Sequence, residues 1–216
     1  MKHQLRKQCA IASVSVIVGL AAMANGATIV NGGLNLLNPD AGTTVSVLGG
    51  NSYNGWTNDG GVDIEFVGIQ SGISPSDEGN GFIDLNGVSG AGRLSQTIAT
   101  SIGQQYRIDF ALSGNAGSGN RLGDKPMSFL WNNSVVDSFV HTHLPSDTNA
   151  NIRWENQSVF VTGTGSDTLT FQSTGGTSDA GAFIDDVVIT LVPEPSSSLL
   201  IGISALSLIL RRRRTK

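Results

Sequence analysis

Val62-Asp-Ile-Glu-Phe-Val67 alternates apolar and acidic side chains with a period of two. Successive side chains of an extended strand point to opposite faces, so Val62, Ile64 and Phe66 face a core and Asp63 and Glu65 face solvent. The same period recurs on both sides. Upstream, residues 27–31 and 43–48 are strand candidates, split by the turn sequence Asn38-Pro-Asp-Ala-Gly42. Downstream, residues 81–87 read as a strand ending in an Asn86-Gly87 turn. Residues 93–100 and 105–112 read as a hairpin about Ile102-Gly103, with Tyr106, Ile108, Phe110 and Leu112 on one face. Residues 127–131 and 135–140 read as a second hairpin turning at Asn132-Asn133, and residues 152–161, 168–173 and 182–192 complete the set. No part of this region sustains a 3.6-residue apolar period. A series of short strands without helices predicts an all-β, antiparallel sandwich.

Composition agrees. Gly, Ser, Thr and Asn are abundant, which suits strands joined by turns. Residues 25–191 form one domain by size, large enough to bury a core without staples. Their basic residues are Arg93, Arg107, Arg121, Lys125 and Arg153, against sixteen acids, so acids outnumber bases by eleven. The whole chain carries only −4, so its basic excess belongs to the two ends. A domain this acidic is soluble and repels nucleic acid.

The ends read as address labels. Residues 1–24 have the form of a secretory signal peptide, a helical leader: Lys2, Arg6 and Lys7, then an apolar stretch, then Ala22-Met-Ala24 as an A-x-A cleavage site. Cleavage after Ala27 is the alternative. Cys9, the only cysteine, lies in this leader, so the mature domain has no disulfide. The other end, residues 192–216, has three parts. Val192-Pro193-Glu194-Pro195 is extended, because each proline fixes φ and removes a backbone donor. Residues 197–210 form an uncharged span of roughly 22 Å, a short transmembrane helix against a ~30 Å hydrocarbon core. Arg211, Arg212, Arg213 and Arg214 then hold the end in the cytoplasm. This order resembles the PEP-CTERM sorting signal of Gram-negative bacteria. The resemblance implies export through the Sec machinery, transient inner-membrane anchoring, recognition by an exosortase and removal of the tail.

Within the domain, Gly55-Trp56, Val62-Asp-Ile64, Phe82-Ile-Asp-Leu-Asn-Gly87, Leu94-Ser-Gln-Thr97, Gly103-Gln-Gln-Tyr106, Phe110-Ala-Leu-Ser-Gly-Asn115 and Phe183-Ile-Asp-Asp-Val187 stand in order. They resemble the choice-of-anchor C domain, which is similar to galactose-binding-like jelly rolls. The resemblance implies a jelly-roll sandwich and binding to polysaccharide, with no established catalytic activity. It also implies a structural Ca2+ where the first and last strands meet, held by Asn35 and Asp185. Family members carry a Phe-Glu pair after Asn-Gly. Here Leu34-Asn35 follows Asn31-Gly-Gly33, so the acid is missing.

Flat aromatic faces stack on sugar rings while amides and carboxylates bond the hydroxyls. Trp56 and Tyr53 in a Gly- and Asn-rich loop, and Trp131 before Asn132-Asn133, are the candidates for sugar contact. The competing reading has Trp56 plugging one end of the sandwich. Trp154, next to Ile152, reads as core. His141 and His143 with Asp137 or Asp147 have the makings of a zinc site, against solvated loop histidines. Asp185 and Asp186 are adjacent on a strand, point to opposite faces and cannot pair as glycosidase carboxylates. The expectation is a non-catalytic surface, matrix or biofilm protein that binds exopolysaccharide. The alternatives are a structural envelope protein without a ligand and, more remotely, a glycan hydrolase.

Overall fold

The computed structural model describes residues 26–37, 44–76, 79–116, 123–175 and 179–193. The leader with Ala22 and Ala24, the turn at 38–42, Glu194, Pro195, the apolar span and the four arginines lie outside the described residues.

Fourteen strands follow in order: β1 (Thr44–Val47), β2 (Ser52–Tyr53), β3 (Trp56–Thr57), β4 (Ile64–Gly68), β5 (Gly81–Asp84), β6 (Asn86–Gly87), β7 (Gly90–Ala91), β8 (Arg93–Ala99), β9 (Gln105–Gly114), β10 (Lys125–Trp131), β11 (Ser134–His141), β12 (Glu155–Thr162), β13 (Ser166–Ser173) and β14 (Ala182–Leu191). Among the described residues the only helical turn is a 3₁₀ turn at Ile69–Ser71. Sheet A has the order β1-β4-β5-β14-β9-β12, and sheet B the order β11-β10-β13-β8-β3-β2. All pairings are antiparallel. From β8 onward the chain crosses repeatedly between sheets, and the inward faces meet around Phe110, Phe129 and Phe171, whose rings lie 5.1–6.4 Å apart.

The alternation that defines β4 is real: Ile64 and Phe66 are fully buried. Asp63 departs from it. The strand starts one residue later, and Asp63 turns in to accept bonds from Ser46 Oγ, Val88 N and Ser89 N at 3.1–3.2 Å. The second hairpin turns at Asn132-Asn133, both left-handed at φ 51° and 64°, as a two-residue hairpin loop requires.

Three local expectations are corrected. Strands β8 and β9 do not form a hairpin, because they lie in opposite sheets. Period-two burial is the same whether two strands pair or oppose each other, so alternation could not separate the cases. Residues 27–31 are not a strand. Asn31 is left-handed, and a Cβ on Gly32 would come within 2.2 Å of the Val187 carbonyl, so the segment turns beneath β14. Asn86-Gly87 is itself paired, with the reversal at Val88-Ser89.

Sheet A has two kinds of outer surface. At one end Val67, Ile73, Phe82 and Phe183 form a second apolar cluster with Ile152 and Trp154. Trp154 thus sits on the outer face, its Nε1 donating to the Ser74 carbonyl at 3.1 Å. At the other end β9, β12 and the end of β14 face solvent directly.

Candidate functional site

The structure removes the tryptophans from the sugar-binding role. Trp56 is fully buried, 6.2 Å from Phe171, with Nε1 donating to the Asn31 carbonyl at 2.9 Å. It plugs the sandwich. Trp131 is 8% exposed, and its Nε1 donates to the Thr162 carbonyl at 3.1 Å. Tyr53 is half-buried against Phe66, and its hydroxyl accepts from the Leu37 amide at 3.0 Å. All three bond backbone groups distant in sequence, two in the 31–37 segment and one at the end of β12, which residue type and loop composition do not reveal.

The exposed ring is Phe160, at 56%. Val159 and Val161 fill the core, so the residue between them must face out. Phe160 lies opposite Arg107 in the β12–β9 ladder, and Thr190 of β14 lies opposite Arg107 on the other side. Arg107 Nε bonds Asp109 Oδ2 at 2.8 Å, and Ser158 Oγ donates to Asp109 Oδ1 at 2.5 Å. A shallow cleft of about 300 Å3 follows this face, lined by Arg107, Asp109, Asn156, Asp186, Val188 and Thr190. The result is an outer face that carries the exposed Phe160 ring, an exposed Val188 and the hydrogen-bonded Arg107, Asp109 and Ser158. The period-two pattern of residues 155–162 carried this signal.

A second cleft of about 290 Å3 opens at the covered end of the same face, lined in part by Thr44, Glu65, Asp84, Asn115 and Asn149. Glu65 and Asp84 are cross-strand partners. Burial pushes the Asp84 carboxyl up to about 7, and the Glu65 charge adds to this. Bonds from the Asn86 amide, Asn115 Nδ2 and the Gly181 amide act in the opposite direction. Asp84 thereby accepts bonds on both oxygens from residues just outside the strands of its sheet.

The Ca2+ pair is otherwise engaged. Asn35 Oδ1 accepts from the Asn80 amide at 2.5 Å. Asp185 Oδ2 accepts from Ser76 N and Oγ at 2.8 and 3.0 Å, and Oδ1 from the Asp186 amide at 2.8 Å. These are N–H and O–H donors that a cation would have to displace, so the residues do not fit a calcium cage. Among the described residues no group of three His, Cys, Asp or Glu could hold a metal. The histidine pair is not a zinc site either. His141 is buried, 3.8 Å from Asp147 Oδ2 and 3.6 Å from Glu155 Oε1. The Arg153 guanidinium pairs with both carboxylates in the metal's stead. Burial lowers the His141 imidazole to about 4, with Arg153 acting the same way and Asp147 against it.

At its far end β14 runs straight into the C-terminal segment: Leu191 lies opposite Tyr106, and the Val192 amide donates to the Gln105 carbonyl at 2.9 Å. Residues 191–214 match the PEP-CTERM protein-sorting motif. The chain therefore carries a PEP-CTERM sorting motif at its C-terminal end, a signal that implies export and exosortase processing. Among solved structures, its fold is similar to TmCBM61 in complex with β-1,4-galactotriose, at 16% identity and TM-score 0.44, over 60% of this chain and 82% of that one. It is also similar to a family 35 carbohydrate-binding module from Clostridium thermocellum, at 14% and 0.42, over 69% and 92%. A third is the K1 cleaved adhesin domain of Lys-gingipain from Porphyromonas gingivalis, at 15% and 0.48, over 70% and 100%.

Of the matched residues, Leu191, Val192 and Pro193 are described; Pro193 is exposed and follows the last ladder bond. Among the described residues no helix is long and apolar enough to cross a membrane.

Proposed function

We propose that the chain is exported through the Sec machinery, held transiently in the inner membrane by its C-terminal span and processed by an exosortase. It then remains at the cell surface or in the extracellular matrix as a biofilm component. There, on this reading, the sandwich is a galactose-binding-like jelly roll of the choice-of-anchor C type. It binds exopolysaccharide without turning it over. The observation that supports binding is Phe160: an exposed ring beside the Arg107–Asp109 pair, on a sheet face whose other exposed side chains, Val188 apart, are mostly polar. Such a face offers C–H stacking and directed hydrogen bonds together. The excess of eleven acids favours neutral or amino-sugar polymers over uronate-rich ones. Asp84, the carboxyl with the raised pKa, has both oxygens engaged by Asn86, Asn115 and Gly181, which supports a non-catalytic role.

Intact-mass analysis of the exported protein tests the sorting half; a mature chain that still carries residues 199–210 would refute it. A pull-down on purified neutral exopolysaccharide tests the binding half, where no retention favours a purely structural protein.

A further inference from the structure

The sorting motif begins inside the fold. The matched stretch starts at residue 191, which is also the last residue of β14. Leu191 packs partly buried against the main core, and Val192 makes one further bond to β9. No linker separates the sandwich from Pro193. A cleaving enzyme takes an extended peptide whose backbone groups are free to pair with it, and backbone already paired in a sheet is not free.

Strand β14 is held unevenly. Its first half, at Phe183 and Ile184, is paired with β5 on one side and β9 on the other, and Ala182–Asp185 are buried. Beyond the left-handed Asp186 (φ 49°) the strand is shifted by a bulge; Val187 is buried and its amide donates to the Gly32 carbonyl at 2.8 Å, and from Val188 onward the ladder partner among the described residues is β9 alone. There Val188 and Thr190 are exposed, and Ile189 and Leu191 are half-buried. Pro193 has no amide to extend the ladder. Rungs with one neighbour and little buried surface open at low free energy while the rest of the domain stays folded.

We propose that tail processing goes through a frayed form of the exported domain, in which residues 190–192 leave β9 and become the upstream half of the peptide that the membrane-bound processing enzyme engages. The proposal rests on the sorting reading above and concerns how the fold regulates it. The domain is then not a passive cargo. The grip of β9 on the end of β14 sets the fraction of molecules ready for processing, and through it the time spent anchored.

Thr190 and Arg107 are ladder partners on the exposed face, a separation of ~5.5 Å that a disulfide can bridge. The mature domain has no other cysteine. In cells that process the full-length chain, cleavage of the double variant Thr190→Cys/Arg107→Cys is followed by intact mass, with and without a thiol reductant. If only the frayed form is a substrate, the oxidised variant is cleaved at least about fivefold more slowly than the reduced one. Inserting Gly-Ser-Gly-Ser between Leu191 and Val192 of the oxidised variant restores the reduced rate. Equal rates for the oxidised and reduced forms, or a block that the insertion does not relieve, would overturn the proposal. The reduced variant reports any damage from the substitutions themselves. A wild-type chain that is never cleaved would instead refute the sorting reading, and this inference with it.

Discussion

Phe160 of β12 and Arg107 of β9 face each other across the ladder on the solvent side of sheet A, with Asp109 holding the guanidinium at 2.8 Å. An exposed ion pair of this kind adds at most about 1 kcal/mol to stability. Its value lies in fixing donors and an acceptor beside an exposed ring. Arg107→Ala is therefore expected to leave the melting temperature within a few degrees of wild type while lowering glycan retention several-fold. Affinity electrophoresis beside a thermal melt checks both; unchanged retention would remove Arg107 from the site.

Trp56 behaves the opposite way. It is fully buried, and its Nε1 bond holds the Asn31 turn under β14. Trp56→Ala is expected to cost about 3–5 kcal/mol, measured by urea unfolding, through the cavity it leaves and the carbonyl it orphans. Any loss of glycan binding should follow the loss of folded protein.

Acid stability carries two signatures. Burial alone would raise the Asp167 carboxyl, but donors from Thr100, Thr164 and Asn132 outweigh it and hold Asp167 at about 2. Its contribution is complete above the unfolded value of 3.8 and is lost as pH falls toward 2. His141 is held neutral, at about 4 against 6.5 unfolded, so its contribution is complete above 6.5 and is lost as pH falls through 4. His141→Gln should flatten the stability profile between pH 6.5 and 4. Asp167→Asn should flatten it below 3.8, at a neutral-pH cost of about 1–3 kcal/mol from mispaired donors. Urea midpoints across pH 2–8 measure both.

Asp84 slopes the other way. Raised to about 7, it favours folding at low pH and loses that contribution as pH rises from 3.8 through 7. Asp84→Asn should be less sensitive to alkali than wild type over that window. A slope unchanged by the substitution would place the effect elsewhere.

The main elements of the fold were legible because burial in a strand has period two and the turn residues declare themselves. Ile64 with Phe66 and the Asn132-Asn133 hairpin are direct examples. What alternation cannot say is which sheet a strand joins, hence the misplaced β8–β9 pair. The sorting tail was legible because its chemistry is local. The proposed binding face was not, because side-chain type does not give position: each tryptophan has a backbone carbonyl to bond, while the outward Phe160 stands in an ordinary strand. The engagement of the Ca2+ pair was hidden for a related reason. Asn35 and Asp185 are oxygen-bearing, but Asn80 and Ser76, distant in sequence, supply the donors that occupy them.

With those oxygens so engaged, EDTA or millimolar Ca2+ is expected to leave the melting temperature of the mature protein unchanged within error. A rise of several degrees with Ca2+, abolished in Asp185→Asn, would restore the cation to the junction.

The most direct measurement is the equilibrium affinity of the mature, exported protein for a purified neutral exopolysaccharide, compared between wild type and Phe160→Ala at matched folded fraction. Loss of the stacking ring should weaken binding by about tenfold, the upper end of an aromatic contact. Equal affinity in the two proteins would contradict the assignment of the outer face of sheet A as the binding surface.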